Sequence, residues 1–520
     1  MRSSRFHLAV LLLATCGAFA VAAAAQEPPS GPGLSLLETV HSTLERDPNL
    51  AVQKARLESA QGSLAIASSQ FDPVFTSGLT EVDDRTPLTP SSSQQTRTLQ
   101  TTVGLAQQFR TGLSIEPQVG IVRSEDVTAG SGAANAGTVT FLVRQPLLRG
   151  RGRTATAAGE LSAQRELAAA GLDVRHLTAQ RLVTVVSQYW TLEATARNLD
   201  VLRASEASSR SLLENTRKLI AADQVPAAEL VQLEANLAAQ ESARIGGERQ
   251  LFAARQDLGR EIGLDGAEIA RLPLPADPFP AVPPEAVPPV TAGAGPYVAA
   301  ALRQRADLRA ARERQAETEI LRRAAENALL PQLDLLFSPG YSGLVTGADP
   351  ASFFSPLYRN VPGASASVAL SLAWPIFNRR ARGELLQIDA SLRQNALAVD
   401  LIAKAIGANV PAALDAVGRD ARQLEKAREA ERLFERAVVN EEKKLRAGTS
   451  TLLDVINQRD RLTAARQTEV SAQLALAISL LQLRFQTGTL IGEDGAAGEV
   501  GTVQVSRLTT LPSVQEERTP

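Results

Sequence analysis

The chain has 520 residues and carries 54 lysines and arginines against 56 aspartates and glutamates, a net charge of −2. That balance gives no long-range field for holding nucleic acid or an anionic lipid surface, and the length admits two or three domains or one elongated unit. Hydrophobic residues make up 44% but aromatic residues only 4%, so alanine and leucine carry the apolar content, which suits helices packed along narrow seams.

At the N-terminus, "MRSSRFHLAVLLLATCGAFAVAAAAQ" sets two arginines before an apolar run that ends in small residues. This reads as a signal peptide over 1–25, with cleavage after Ala25 and a mature chain from Gln26. The single cysteine, Cys16, falls inside it. Its acylation as a lipoprotein is an alternative that Thr15, just before it, fits poorly. Cut at Ala25, the mature chain has no disulfide and must rely on packing or assembly. No later stretch offers the roughly 18 uninterrupted apolar residues of a membrane helix, which leaves a closed β-barrel as the spanning option.

The rest is a tandem repeat. "DPNLAVQKARLESAQGSLAIASSQFDPVF" at 47–75 pairs with "RADLRAARERQAETEILRRAAENALLPQLDLLF" at 305–337, setting Leu50 on Leu308. "FLVRQPLLRGRGR" at 141–153 pairs with "LSLAWPIFNRRAR" at 370–382, setting Pro146 on Pro375. "RKLIAADQVPAAELVQLEANL" at 217–237 pairs with "KKLRAGTSTLLDVINQRDRL" at 443–462, setting Glu229 on Asp454. The repeats span 26–271 and 297–488, with a proline-rich linker at 272–296 too rigid and donor-poor for helix and a disordered tail at 489–520.

In the first repeat a helix covers about 35–70, restarted by Asp47 as cap and Pro48 in its first turn. "LQTTVGLAQQFRTGLSIEPQVGIV" at 99–122 alternates on both sides of a turn, an extra hairpin with no counterpart in the second repeat. Val139, Phe141 and Val143 then alternate with Thr138, Thr140 and Leu142, a strand that meets Pro146. The long helix of about 154–220 places Leu182, Val185, Tyr189, Leu192, Ala196 and Leu199 at coiled-coil spacing. After "ADQVP" a helix returns over about 226–262. At 1.5 Å per residue the long helix is roughly 100 Å long.

The second repeat predicts helices at about 297–330, 381–446 and 451–487, with Pro411 kinking the long one. Between them, Ala364, Ala366, Val368, Leu370, Leu372 and Trp374 alternate with small or polar residues. One face is apolar and the other polar, as in a barrel strand between lipid and water, although a half-buried strand of a soluble sheet has the same pattern. Phe141, Trp374 and Phe377 fit a membrane-interface belt. The arginines beyond each proline suit either lipid headgroups or plain solvent.

Together these features resemble the TolC-like outer-membrane efflux proteins. The resemblance rests on the "DPNL" and "RADL" helix openings, the "RQPLL" and "AWPIF" junctions and, above all, "LRAGTSTLLDVINQRDRL" at 445–462. It implies an α+β membrane protein: a homotrimer with about four strands per subunit in one transmembrane barrel, continued by a periplasmic coiled-coil tunnel. It also implies a passive exit duct for efflux or type I secretion, joined through a periplasmic adaptor to an inner-membrane transporter. The tunnel constriction would be Asp454 with Asn457, and Glu229 and Gln232 in the first repeat. The adaptor would dock at Asp223, Gln224 and Val225 and at Gly448, Thr449 and Ser450, while Pro146 and Pro375 mark the strand-to-helix junctions.

Catalysis has little support. His7, His41 and His176 are scattered, no Cys/His set has metal spacing, and "GRGRTATAAG" lacks the lysine of a phosphate loop. No enzyme activity, metal or other cofactor is expected, and no nucleic-acid partner. A periplasmic adaptor and an exported coiled-coil structural protein remain alternatives, since both are helix-rich and secreted. The transported cargo is not readable from these residues.

Overall fold

In a computed structural model, residues 33–222, 226–492 and 510–512 are described. The expected signal peptide at 1–25 and the expected docking residues Asp223, Gln224 and Val225 lie outside them. Along the first repeat run α1 (Leu36–Arg46), α2 (Pro48–Ser69), β1 (Val74–Thr89), β2 (Ser92–Gln108), β3 (Ser114–Asp126) and β4 (Ala134–Pro146). There follow a single turn, α3 (Arg153–Thr156), then α4 (Ala158–Ala221), α5 (Glu229–Ile262) and α6 (Gly266–Arg271). The second repeat has α7 (Val290–Gln304), α8 (Ala306–Ala328), β5 (Gln332–Thr346), α9 (Pro350–Phe354), β6 (Ala364–Ala373), α10 (Arg379–Arg446) and α11 (Leu452–Thr487).

The helix restart is as the sequence predicts. Asp47 accepts hydrogen bonds from the backbone N–H of Asn49 and Leu50, and Pro48 sits where a missing donor costs nothing. The coiled-coil positions are also as expected: Leu182, Val185, Tyr189, Leu192, Ala196 and Leu199 are all buried. The 64-residue α4 is flanked along its first half by α2, through Leu50, Leu57, Ala170 and Val174. Along its second half it is flanked by α5, with Leu258 and Ala254 against Val185 and Val186, and Leu233 against Leu213. In the second repeat α10 has the same relation to α8 and α11. Its secondary structure continues unbroken through Pro411.

Three expectations change. Among the described residues the strands form one sheet of six, in the order β1-β2-β3-β4-β5-β6 and antiparallel throughout, not about four. The hairpin at 99–122 accounts for the excess, because β2 and β3 pair with each other and insert between β1 and β4. The linker ends early: α7 starts at Val290 and contains Pro296, with Tyr297 and Ala301 buried against α10 and α11. Burial there outweighs the donor that the proline lacks. The tail is packed wherever it is described, with Leu490 and Ile491 buried and Arg484 donating to the carbonyls of Thr510 (2.6 Å) and Leu511 (3.1 Å). By composition α10 is also long and apolar enough to cross a membrane, a property its sequence did not reveal as an uninterrupted run.

The two junctions share one construction. Pro146 is the last residue of β4, and β6 ends two residues before Pro375. Each chain segment then turns through positive φ, at Gly152 (86°) and Asn378 (40°), before its helix starts. Both turns are tied to the end of α8: the N–H of Gly150 donates to Asn327 Oδ1 (2.7 Å), and Asn378 Nδ2 donates to the carbonyl of Leu329 (3.2 Å).

Candidate channel wall and tip

The strand registers sort the sheet into two faces. On one stand Phe75, Leu105, Val119, Val139, Phe337 and Leu370, placed on the same face by the registers, with Phe75 opposite Leu105 and Val119 opposite Val139. The other carries Thr76, Thr102, Gln118, Thr140, Ser338 and Ser367. The helix and turn at 350–357 pack on the far end of this apolar side, against Gly137, Gly343 and Tyr341, while nearer the helices Phe75, Leu79, Val368 and Leu370 stay exposed, as on the outside of a membrane barrel. Trp374 and Phe377 stand 67% and 68% exposed just beyond β6, at the helical end of the apolar band. Phe141 shares the apolar face but lies within the band, opposite Pro117.

Where the polar face meets the helices, a recess of about 480 Å³ is lined by Gln70, Asp72, Gln108, Glu116, Arg144 and Asp334, among others. Arg144 donates twice to Asp334 Oδ2 (2.9 and 2.6 Å). Nearby, Arg110 in the β2–β3 turn forms a bidentate pair with Glu160 in the first turn of α4 (2.7 and 2.6 Å) and lies over the Phe71 ring. The Arg110–Glu160 pair fastens the sheet to the helical wall and the Arg144–Asp334 pair ties β4 to β5; nothing in the sequence spacing marks them, since each joins residues far apart in the chain.

At the far end, Leu213 of α4, Leu233 of α5 and Leu452 and Ile456 of α11 form a buried cluster, with Leu445 of α10 packed against it. Arg459 braces these helices, donating to the Ser208 carbonyl (3.0 Å) and to Glu442 (2.5 Å). Helix α10 closes on Gly448 at φ 72°, and the Thr449 N–H donates to the Lys444 carbonyl (3.0 Å), a left-handed C-terminal cap. Ser450 donates to Glu441 (2.5 Å). Thr451 and Asp454 then form a capping box for α11.

Asp454, expected at a constriction, is exposed, but its carboxylate turns back to accept the Thr451 hydroxyl (2.6 Å) and N–H (3.2 Å). The hydrogen bond from the Thr451 hydroxyl holds it below its ordinary acidity range. The T-x-x-D spacing was the available signal for this local role. Asn457 is exposed one turn on, Gln232 is exposed and Glu229 half-buried at the start of α5. Asp223, Gln224 and Val225 lie outside the described residues, whereas Gly448, Thr449 and Ser450 form the tip of the second hairpin.

Residues 298–489 match the family model for outer membrane efflux proteins. No curated protein matches the chain. Solved structures share its fold. The Campylobacter jejuni CmeC outer membrane channel is 14% identical, covering 92% of this chain and 90% of that one at a TM-score of 0.60. The Vibrio cholerae outer membrane protein VceC is 18% identical, over 87% and 96%, at 0.60. The open state of the Neisseria gonorrhoeae MtrE outer membrane channel is 16% identical, over 87% and 88%, at 0.59. The resemblance to TolC-like efflux proteins read from the sequence is borne out: the family match falls on the second repeat, and the fold extends over both.

Proposed function

From that match and that fold we propose that the chain is an outer-membrane channel, the passive exit duct of an efflux or type I secretion system. It sits in the outer membrane with its sheet in lipid and its helices in the periplasm. It assembles as a homotrimer and receives cargo from an inner-membrane transporter through a periplasmic adaptor. The observation that carries this reading is the two-faced sheet running directly into a helical wall roughly 100 Å long. A periplasmic adaptor or an exported coiled-coil protein has no use for a sheet whose apolar face stays exposed at Phe75, Leu79, Val368 and Leu370.

Within this reading Gly448–Ser450 and Asp223–Val225 are the points where an adaptor hairpin docks. Asp454 and Asn457 from each subunit ring the tunnel mouth. Three carboxylates about an axis attract cations, and nothing asks the chain itself for catalysis.

The test is conductance of the detergent-extracted mature protein in a planar bilayer, beside Asp454→Ala. Discrete, cation-preferring pores that lose the preference in the variant are expected. Pores indifferent to the substitution would keep the duct and remove Asp454 from the gate. Failure to insert, with the protein soluble in plain buffer, would overturn the duct.

A further inference from the structure

The six strands carry a consequence for the calibre of the duct. Among the described residues both edges of the sheet are open, and every residue of β1 and of β6 is exposed. In lipid, unpaired strand edges are prohibitively costly, so the sheet must close. It cannot close on itself at six strands and still present a polar face wide enough for water. An even strand count with alternating directions lets β6 of one copy pair antiparallel with β1 of the next.

The helices below continue the same two edges. Helix α2 leads into β1 and leaves Val52 and Ile66 exposed, while α10 leaves β6 and exposes Leu386, Leu397 and Leu401. The occupant of each edge is therefore the opposite edge of a second copy of this chain.

The widths of the two layers agree. Contacts run α2 to α4, α4 to α8 and α8 to α10, a row of four helices. At 8–10 Å between neighbouring axes, four helices span about 36 Å of circumference. Strands 4.8 Å apart and tilted by roughly 40° take about 6 Å of circumference each, so six span about 38 Å and four only about 25 Å. The added hairpin makes the sheet as wide as the helical wall beneath it.

We propose that copies of this chain join through β1 and β6 into a straight-walled duct, so that a trimer carries an eighteen-stranded barrel as wide as its helical tunnel. This rests on the duct and trimer proposed above. The backbone diameter is about 36 Å, against about 24 Å for twelve strands, a cross-section about twofold larger. The barrel then does not filter cargo by size, and that selection falls to the helical tip.

Cryo-electron microscopy of the mature chain in lipid nanodiscs tests this directly, by counting wall strands. A second readout is exclusion of neutral poly(ethylene glycol) entering from the barrel side, compared with a variant lacking 92–131, in which Ser91 runs into Gly132 and β1 can pair with β4. Eighteen strands in a trimer, and a size cutoff that falls in the deletion variant, are expected. Trimers with twelve wall strands and the hairpin outside the wall, any other copy number, or equal cutoffs would overturn the inference while leaving a channel. Protein that never enters the nanodisc would instead overturn the duct reading on which it rests.

Discussion

Asp454 shows how one side chain can serve two purposes at the tip. Its carboxylate caps α11 through Thr451, and the same charge is the one proposed to face the tunnel mouth. Because the Thr451 hydroxyl depresses its pKa below 3.8, the charge is present above that range and is lost only as pH falls through the lowered value. Wild-type pores should therefore keep their cation preference down to about pH 4. In Thr451→Val, which removes the hydroxyl donor, the preference should fade at higher pH. Reversal potentials across a pH series measure both, and coincident curves for the two proteins would detach the cap from the selectivity. The sequence made Asp454 legible as a candidate, and its T-x-x-D spacing from Thr451 was the signal for the cap. What it could not give was the orientation of the carboxylate, which depends on a turn closed by Gly448.

Among the elements, α4 was the most legible, because a 3-4 spacing over six positions has few readings other than a buried seam. Its centre lies in a large buried cluster, where Trp190 stacks on Phe279 and the Tyr189 hydroxyl donates to the Leu34 carbonyl (2.9 Å). Trp190→Ala should cost roughly 3–5 kcal/mol, read as a lowered midpoint in thermal or denaturant unfolding of the detergent-solubilised chain. Strand β1 was not legible. Phe75 and Leu79 are followed by Glu81, Asp83, Asp84 and Pro87, so the half that runs past the apolar band reads as loop. Strand β5 is obscured in the same way by Pro339 and Gly340.

The contact between α10 and α11 was equally hidden, and it contains a carboxyl pair. Glu431 hydrogen-bonds Glu469, which with burial raises its pKa above 4.5, while Arg466 offsets part of the rise. A raised carboxyl stabilises the folded form at low pH and loses that contribution as pH climbs through its folded value. Protection of α10 and α11 amides, corrected for intrinsic exchange, should thus weaken between mildly acidic and neutral pH. Glu431→Gln should flatten that dependence, and an unchanged slope would show the pair to be irrelevant.

At the scale of the whole molecule, the same apolar residues that make α10 resemble a membrane helix are better explained as a seam. The eighteen-residue stretch with mean hydropathy 1.5 is only 17% buried within one chain, and Asp400 and Lys404 pair on the same helix (2.7 Å). Leu397 and Leu401, one turn apart, lie on the edge that continues from β6, where a neighbouring subunit's α2 would cover them. Leu414 on the same helix is fully buried within the chain. The two classes of leucine therefore separate assembly from folding. Leu397→Glu with Leu401→Glu places two carboxylates in an apolar interface and should abolish the trimer while the helical signal in circular dichroism stays within a few per cent of wild type. Leu414→Ala should instead cost about 2–5 kcal/mol of chain stability. Native mass spectrometry reports the copy number in each case. A trimer that survives both glutamates would place the subunit contact elsewhere and free the α10 seam for another partner. The sequence alone could show that such long helices need neighbours. The positions of β1 and β6 at opposite edges support the proposal that the neighbours are copies of the same chain.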